Sequence, residues 1–426
     1  MNKIWFGKIP NDWKTIKAKF LFSERCEKGN SINLEILTPS QKFGVLPQKK
    51  YQEVTGIKPV QVNENTDLSN FKTVHKNDYC ISLSAYMGGF EYSEYEGVIS
   101  PAYHSFYQID DIYDNNYLKK LFKSSCFIDE INCITPNSVR VGRNTSFEKF
   151  GNILMPIPTK EEQNKIANFL DNKILVIDNV IEKTRETIED YKKYKQSVIT
   201  EMVTKGCDKN AVIKDSGNKW IKLLPLNWKI SKMKYFSKEI GDGLHATPDY
   251  DENGKIYFVN GNNIGNEYLV FKADTNKIND REYQKYKLPL LNSQTILIAL
   301  NGATYGKISL YNMEKILLGK SAGYITYKND VNRKFMSYYM LSYFSKELMT
   351  YSLNGTTIQN LSLDTLRNFI CFVPPLEEQN KIVEYLDKKC IQIDKLISSK
   401  EKIIEELEQY KKSLIYEYVT GKKEVI

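Results

Sequence analysis

The six residues EEQNKI at positions 161–166 recur letter for letter at positions 377–382, an offset of 216 residues. The match continues at this offset, without a gap, to residues 203–204 in the first copy and 419–420 in the second, and about half of the positions are identical. A match of this length at a fixed offset is the signature of an internal repeat. The chain is therefore a tandem duplication.

A second repeated motif opens each half of the chain. The pattern W-x4-P-x2-W-K occupies residues 5–14 and recurs at residues 220–229, an offset of 215 residues. These two motifs contain all four tryptophans of the protein. Because the two offsets nearly agree, both motifs belong to the same duplication.

The sequence between these matched ends differs between the two halves. Residues 20–138 and 236–355 share little sequence. Short apolar runs such as 79–83 and 295–300 predict strands, and turns rich in glycine and asparagine separate them. Each half is therefore predicted to be a variable α+β domain followed by a similar helix.

The EEQNKI segments begin two long amphipathic helices. Their apolar residues recur mostly every three or four positions, a spacing that is typical of a coiled-coil seam. The remaining positions are crowded with Glu and Lys, as water-facing positions require. The predicted seam consists of Ile166, Leu170, Ile174, Ile177, Ile181 and Ile188 in the first helix and of Ile382, Leu386, Ile393, Ile397, Ile404 and Leu407 in the second.

The ends of both helices carry recognisable signals. Thr159 and Glu162 have the spacing of a capping box at the helix start. Gly206 and Gly421 stand where a helix favours a residue with positive φ after its last turn. About 45 residues at a rise of ~1.5 Å per residue give helices of roughly 65–70 Å.

Two similar helices in one chain are expected to pair with each other. Pairing about a pseudo-twofold axis would make the helices antiparallel and would place the two domains at opposite ends. The alternative is that each helix packs only on its own domain. The predicted fold class is α+β, with two similar α+β domains joined by two long helices that form an antiparallel coiled coil within a pseudo-twofold internal repeat.

Composition gives weaker indications about function. Lys and Arg total 60 against 52 Asp and Glu, a formal net charge of +8, which mildly favours a polyanionic partner. Seven scattered cysteines without a C-x-x-C pair, and only three histidines, do not favour a metal or redox site. No segment approaches the ~20 consecutive apolar residues of a membrane span, and the N-terminus lacks the apolar core of a signal peptide, so a cytoplasmic protein is predicted.

The usual motifs of a DNA-modifying enzyme are missing from the sequence. Amino-methyltransferases carry a D/N/S-P-P-Y/F/W motif, whereas the one Pro-Pro pair here, residues 374–375, lies in V-P-P-L. The G-x-G at residues 241–243 has Ala246 in place of a third glycine. Residues 319–321 imitate the end of a phosphate-binding loop, but Glu314 replaces its first glycine. No candidate active site is therefore identified.

The order of these motifs resembles the specificity subunit of type I restriction–modification systems, over essentially the whole chain. In that family a W-x4-P-x2-W start, a variable domain, a PxPxxEEQxxI-type helix start and a long helix occur twice. Three short stretches resemble segments of the family's target recognition domains, namely DGLHATP at 242–248, VISPAY at 98–103 and GTTIQNL at 355–361. Each stretch is weak alone, and their order and placement carry the resemblance.

The resemblance implies a domain plan and a set of partners. Residues 1–157 and 218–373 would be target recognition domains that each read one half of an asymmetric, interrupted DNA sequence. Residues 158–206 and 374–426 would be helical spacers, with a linker at 207–217. Two adenine-methylating subunits and restriction, or motor, subunits would be the protein partners. S-adenosylmethionine, ATP and magnesium would act on those partners, and this chain would hold no cofactor and no metal and would not be an enzyme.

Candidate DNA contacts follow from side-chain chemistry. Arg140 and Arg143 suit guanine or phosphate, Gln359 suits adenine, and the two lysines beside glycine turns suit phosphate. For each residue the alternative is a solvated charge or a packed structural side chain. The candidates are Tyr86, His104, Arg140, Arg143, His245, Tyr305, Lys307, Lys320, Thr356, Thr357 and Gln359.

A competing hypothesis is a coiled-coil scaffold that does not bind DNA. It explains the two long helices. It does not explain two domains with similar frames and divergent interiors. Sequence-specific, salt-dependent affinity for DNA separates the two hypotheses, because a scaffold would lack it.

Overall fold

The computed structural model describes residues 4–28, 34–59, 68–82, 88–135, 145–208, 210–218, 221–286, 291–351 and 360–425. The chain divides into two compact units. The first unit contains Met1–Thr184 and Lys402–Ile426, and the second contains Arg185–Glu401. Each unit therefore combines one globular domain with a part of both long helices.

The first half of the chain alternates short strands and helices and ends in a long helix. Its elements are β1 (Lys14–Lys17), β2 (Phe22–Glu24), β3 (Leu37–Ser40), β4 (Gly44–Pro47), α1 (Gln48–Thr55), β5 (Lys72–Val74), β6 (Tyr79–Ile81), β7 (Phe90–Tyr92), β8 (Gly97–Ile99), β9 (His104–Gln108), α2 (Asn115–Phe122), α3 (Ser125–Ile134), α4 (Phe147–Gly151), β10 (Leu154–Ile157) and α5 (Lys160–Lys205). A 3-10 turn at Ala18–Phe20 joins β1 to β2.

The second half repeats this order with insertions. Its elements are β11 (Ile213–Asp215), β12 (Leu223–Pro225), β13 (Lys229–Lys232), α6 (Met233–Phe236), β14 (Ser237–Asp242), β15 (Ile256–Val259), β16 (Lys277–Ile278), α7 (Asp280–Lys285), β17 (Thr295–Ala299), β18 (Ile308–Leu310), β19 (Ile316–Leu318), β20 (Ala322–Tyr327), α8 (Arg333–Leu341), α9 (Tyr343–Tyr351), α10 (Leu363–Asn368), β21 (Ile370–Val373) and α11 (Leu376–Val419). The strands predicted at 79–83 and 295–300 are confirmed as β6 and β17.

The two units share one sheet topology although their sequences differ. The first unit has a four-stranded sheet in the order β2-β9-β6-β7, and the second has β14-β20-β17-β18. In both units the strand that opens the domain pairs antiparallel with the strand that closes it, β1 with β10 and β13 with β21. The predicted internal repeat of two α+β domains is therefore confirmed.

In the first unit the two long helices pair in opposite directions. The ring of Phe169 on α5 lies 4.5 Å from that of Tyr418 on α11, and the Lys411 ammonium lies 2.7 Å from the Asp178 carboxylate. The contacting residues of α11 have lower numbers (418, then 411) as those of α5 have higher numbers (169, then 178), so the two helices are antiparallel. Ile166 and Leu170 share a core cluster with Leu414, Ile415 and Val419 and with the domain itself.

The second unit contains the repeat-equivalent pairing. Lys195 on α5 lies 2.7 Å from Asp394 on α11. At the repeat offset of 216, Lys195 corresponds to Lys411 and Asp394 corresponds to Asp178. The repeat therefore forms one ion pair twice, with the roles of the two helices exchanged. Val198, Ile199 and Val203 share a core cluster with Ile382, Leu386 and the domain. The predicted antiparallel pairing is confirmed, and the starts of both helices also pack on their own domains.

Burial of the predicted seam varies along the helices. Eight of the predicted seam residues are buried, namely Ile166, Leu170, Ile177, Ile181, Ile188, Ile382, Leu386 and Ile393. Ile174, Ile397, Ile404 and Leu407 are half-buried. The predicted seam is therefore buried over most of its length and only partly covered at four positions.

The repeated EEQ triplet fixes each long helix to its domain. Gln163 is fully buried, its Oε1 accepts from the Asp114 amide at 2.6 Å, and its Nε2 donates to the carbonyls of Ile112 and Pro158. Asp114 is the N-cap of α2. The triplet therefore joins the start of the long helix to the start of a helix in the domain.

The second copy of the triplet makes the same contacts. Gln379 Oε1 accepts from the amide of Asn332, the N-cap of α8, at 2.7 Å, and Gln379 Nε2 donates to the carbonyls of Asp330 and Pro374. The preceding glutamates accept from the repeated indoles, Glu162 from Trp13 and Glu378 from Trp228. These contacts hold both repeats in the same frame.

Candidate nucleic-acid interface

Strand ends from two sheets of the second unit converge at one edge. Strands β14 and β17 both run antiparallel to β20, so they end on the side where β20 begins. At this edge Asp242 pairs with Gly323 and Ala299 pairs with Ala322. The parallel strands β15 and β19 end together, and residues 319–321 lead from β19 into β20 at the same edge.

Polar side chains in the following loops hold this edge together. The Gly261 amide donates to Ser321 Oγ at 2.8 Å, and Ser321 Oγ donates to Asn260 Oδ1 at 3.1 Å. Thr304 Oγ1 donates to the Gly261 carbonyl at 2.7 Å. We call the polar residues at these strand ends and in the loops that follow them the polar edge of the second unit. It consists of Asp242, His245, Asn260, Asn262, Asn301, Thr304, Tyr305, Lys307, Lys320, Ser321 and Asn360.

Two glycines allow the loops of the polar edge to approach each other. A Cβ on Gly243 would lie 2.2 Å from the Leu318 carbonyl, and a Cβ on Gly319 would lie 2.3 Å from Asn260 Oδ1. Both distances are well inside van der Waals contact, so a side chain at either position would push the loops apart. The predicted glycine turns therefore set the shape of the edge.

Three predicted candidates have accessible side chains on the polar edge. Lys320 is exposed and Lys307 is half-buried, and neither forms an ion pair with a described residue. His245 is exposed, and its Nε2 lies 2.8 Å from Asp242 Oδ2. The two lysines thus leave uncompensated positive charge at this edge, which suits a phosphate.

Tyr305 differs from the other candidates because its hydroxyl is buried. Within the part of the chain that the structure describes, the Tyr305 hydroxyl has no hydrogen-bond partner, and its ring packs against the domain core. Burial raises the pKa of Tyr305 to about 12. The structure therefore gives the ring a packing role.

The predicted polar stretch GTTIQNL reaches the polar edge at its described end. Asn360 forms an isolated bridge with Asn301, and the Leu361 amide donates to the Leu300 carbonyl at 2.8 Å. Thr356, Thr357 and Gln359 lie outside the described residues, as do Tyr86, Arg140 and Arg143.

The corresponding edge of the first unit also pairs a carboxylate with a histidine, but the histidine lies on a different strand. His104 begins β9, and its Nδ1 lies 2.5 Å from Glu24 Oε1 at the end of β2. Lys72 lies 3.9 Å from the same carboxylate. We call Glu24, Lys72 and His104 the polar edge of the first unit; they lie at the edge that Asp242 and His245 occupy in the second unit.

Sequence reasoning missed several residues of the polar edge. Asn260, Thr304 and Ser321 were not among the candidates, although Asn260 directly follows β15, Ser321 directly precedes β20 and Thr304 lies in the loop between β17 and β18. Such polar residues at strand ends were the available signal. What the sequence does not show is that β14, β15, β17 and β19 end at one place.

Two features are absent from the described residues. Within the part of the chain that the structure describes, no group of three or more His, Cys, Asp or Glu side chains could hold a metal ion. None of the helices in this part combines the length and the apolar composition that a membrane span needs.

Comparison with known proteins gives consistent matches. A model of the type I restriction modification DNA specificity domain matches twice, at residues 10–190 and 225–409. The MjaVIII type I restriction enzyme specificity subunit of Methanocaldococcus jannaschii is 28% identical over 279 residues, which are 64% of this chain and 63% of the relative. The putative MjaX specificity subunit of the same organism is 29% identical over 273 residues, 63% of this chain and 59% of the relative. The matches thus span about 60% of the length of these relatives.

Solved structures share the fold over nearly the whole chain. A chain from a study of complex assembly and conformational transition of the type I R-M system has a TM-score of 0.71 at 16% identity, with 98% of this chain and 100% of that chain covered. The HsdS subunit from Thermoanaerobacter tengcongensis has a TM-score of 0.53 at 16% identity, with 98% of each chain covered. At this identity the likeness shows a common fold.

Proposed function

Since the chain belongs to the type I restriction–modification DNA specificity family, we propose that its two repeats read the two halves of one asymmetric, interrupted DNA sequence. In this proposal the chain positions adenine methyltransferase and restriction subunits on that sequence and has no catalytic centre of its own. S-adenosylmethionine, ATP and magnesium would act on those partner subunits.

One observation carries the proposal, namely a common frame with different edges. Both units have the same four-stranded sheet order and the same glutamine contacts at the helix start. Their polar edges differ in geometry and charge. Glu24 contacts His104 on a neighbouring strand and lies 3.9 Å from Lys72, whereas Asp242 contacts His245 three positions away, and Lys307 and Lys320 form no ion pair with a described residue. Two recognition domains that share one framework but bind different half-sites need this arrangement, because base recognition depends on side-chain chemistry.

Exposed apolar residues on the long helices support two copies of one protein partner. Leu175, Val180 and Tyr194 on α5 stand 216 positions before Ile391, Leu396 and Tyr410 on α11, and all six are between 43% and 61% exposed. Because these side chains are exposed at equivalent positions of both repeats, they suit two equivalent contacts with one kind of partner. We assign these positions to the two methyltransferase subunits, one on each repeat.

The two lysines of the polar edge give a test of DNA contact. In the complex with methyltransferase subunits, Lys307→Ala with Lys320→Ala should weaken binding to a duplex that carries the mapped target sequence. Each lost phosphate contact should make the slope of log K against log salt shallower by about 0.9. Titrations at several salt concentrations measure this slope.

A matched control removes the same charge elsewhere in the second unit. Lys285 and Lys315 are exposed and each lies beside a carboxylate, Glu282 and Asp280 respectively. Lys285→Ala with Lys315→Ala should leave the slope unchanged. If both double variants change the slope equally, or neither does, the polar edge is not the DNA-contacting surface.

A further inference from the structure

A lysine-rich motif is common to both repeats and precedes the strand that ends at the polar edge, β2 in the first unit and β14 in the second. Residues 13–20 read WKTIKAKF and residues 228–235 read WKISKMKY, so both follow the pattern W-K-x-x-K-x-K-aromatic at an offset of 215. We call their exposed residues the first lysine patch (Lys14, Lys17, Lys19 and Phe20) and the second lysine patch (Lys229, Lys232, Lys234 and Tyr235).

The side chains of both patches face solvent in the same way. All six lysines are exposed. The rings at the end of each motif, which would ordinarily be buried, are 63% exposed at Phe20 and 58% exposed at Tyr235. The Lys19 ammonium lies 5.1 Å from the centre of the Phe20 ring, and the Lys234 ammonium lies 5.3 Å from that of Tyr235. Each ring thus holds one lysine in place through a cation–π contact.

The positive charge of the patches is not compensated. None of the six lysines forms an ion pair with a carboxylate among the described residues. Lys232 donates to Asn368 Oδ1 at 3.0 Å, which leaves its charge unneutralised. By contrast, exposed lysines of the long helices, such as Lys165 and Lys381, lie 2.7 Å from a glutamate one turn away.

Packing of the domain does not require these lysines. The same segments contribute Trp13 and Ala18 to the first core and Trp228, Met233 and Phe236 to the second. Those buried residues explain why the segments fold as they do. The shared lysines and the shared exposed aromatic side chain therefore need another explanation.

Because the two lysine patches carry the same residue types, they cannot distinguish the different bases of two half-sites. The sequence-independent part of a DNA target is its phosphate backbone, which lysines contact as point charges. Lysine is also depleted at the centre of protein–protein interfaces, which disfavours a protein partner for surfaces with three lysines each.

We propose that the two lysine patches contact the phosphates of the duplex that flanks each half-site. In the second unit the patch precedes β14 and the polar edge follows it, and six residues of strand span roughly 20 Å. At 3.4 Å per base pair this distance equals about six base pairs. The patches thus add affinity for any sequence and leave base preference to the polar edges. This inference rests on the proposed DNA-reading function.

Two triple variants test the inference in the assembled methyltransferase complex. Lys14, Lys17 and Lys19 are replaced by Ala in one variant, and Lys229, Lys232 and Lys234 in the other. Each should make the salt slope shallower by up to about 2.7 and weaken binding roughly 10- to 100-fold, equally for cognate and non-cognate duplexes of the same length. A cognate duplex trimmed to the bipartite site should lose affinity for the wild-type complex and abolish the difference between wild type and variants.

The control variant removes three charges from the helices, with Lys165, Lys381 and Lys388 replaced by Ala; each of these lies beside a glutamate. An equal slope change in the control, or no change in the patch variants, overturns the inference. So does a patch variant that binds DNA normally but no longer assembles with the methyltransferase, since the patch is then a protein interface. If the wild-type complex itself shows no sequence preference, the proposed function fails instead.

Discussion

Deleting seven residues from each long helix should shorten the preferred gap between the two half-sites and leave both half-site sequences unchanged. A heptad corresponds to about 10.5 Å of helix at ~1.5 Å per residue, or about three base pairs at 3.4 Å each. The proposed role of α5 and α11 as spacers requires this change. Methylation mapping in a host that carries the shortened chain measures the gap directly.

The position of the deletion follows from the contacts. Residues 184–190 and 400–406 are equivalent in the repeat and lie between the two reciprocal ion pairs, Asp178–Lys411 and Lys195–Asp394. Removing both segments keeps these pairs, the helix starts and the seven-residue period of the seam. Deletions of three residues from each helix, which break that period, should instead destabilise the protein. An unchanged gap after the heptad deletion would refute the spacer role.

Replacing Gln163 by glutamate should lower the free energy of unfolding of the first unit by about 3–5 kcal/mol at neutral pH. The Gln163 amide donates to the carbonyls of Ile112 and Pro158 and is fully buried. A carboxylate there cannot donate, and its charge would face two carbonyl oxygens. Urea unfolding followed by tyrosine and tryptophan fluorescence measures the change.

The sign of the pH dependence follows from the same geometry. Burial against carbonyls raises the pKa of the introduced carboxyl in the folded state, so the folded protein binds the proton more tightly than the unfolded chain. The loss of unfolding free energy caused by Gln163→Glu should therefore be smaller at pH 5 than at pH 8. Glu161→Gln, on the same turn but exposed, is the control and should cost little at either pH. An equal, small effect of both variants would show that the Gln163 contacts do not hold the helix to the domain.

The helix ends were predictable because their signals are local. Thr159 Oγ1 accepts from the Glu162 amide at 3.3 Å, as the capping-box spacing predicts. Gly206 and Gly421 have φ values of 76° and 67°, as predicted for residues that follow the last helical turn. Each of these features involves residues within a few positions of one another.

Other parts of the structure depend on contacts between distant residues, which a single sequence does not display. Gln163 bonds to Asp114, which lies 49 positions away, and Trp13 bonds to Glu162 at a separation of 149. The repeat shows that Trp13, Glu162 and Gln163 recur in both halves, but it does not indicate which residues they contact. The polar edge likewise assembles from strands of two sheets, β14 and β17 in one and β15 and β19 in the other, and the pairing of these strands does not follow their order in the chain.

The central claim is that this chain determines which DNA sequence its methyltransferase modifies. The most direct test maps N6-methyladenine in a host that carries the chain with its methyltransferase subunit, and in a host that lacks only the chain. The proposal predicts methylation at one interrupted, two-part sequence, and loss of that methylation when the chain is absent. An identical methylation pattern with and without the chain would contradict the claim and would favour a scaffold that does not read DNA.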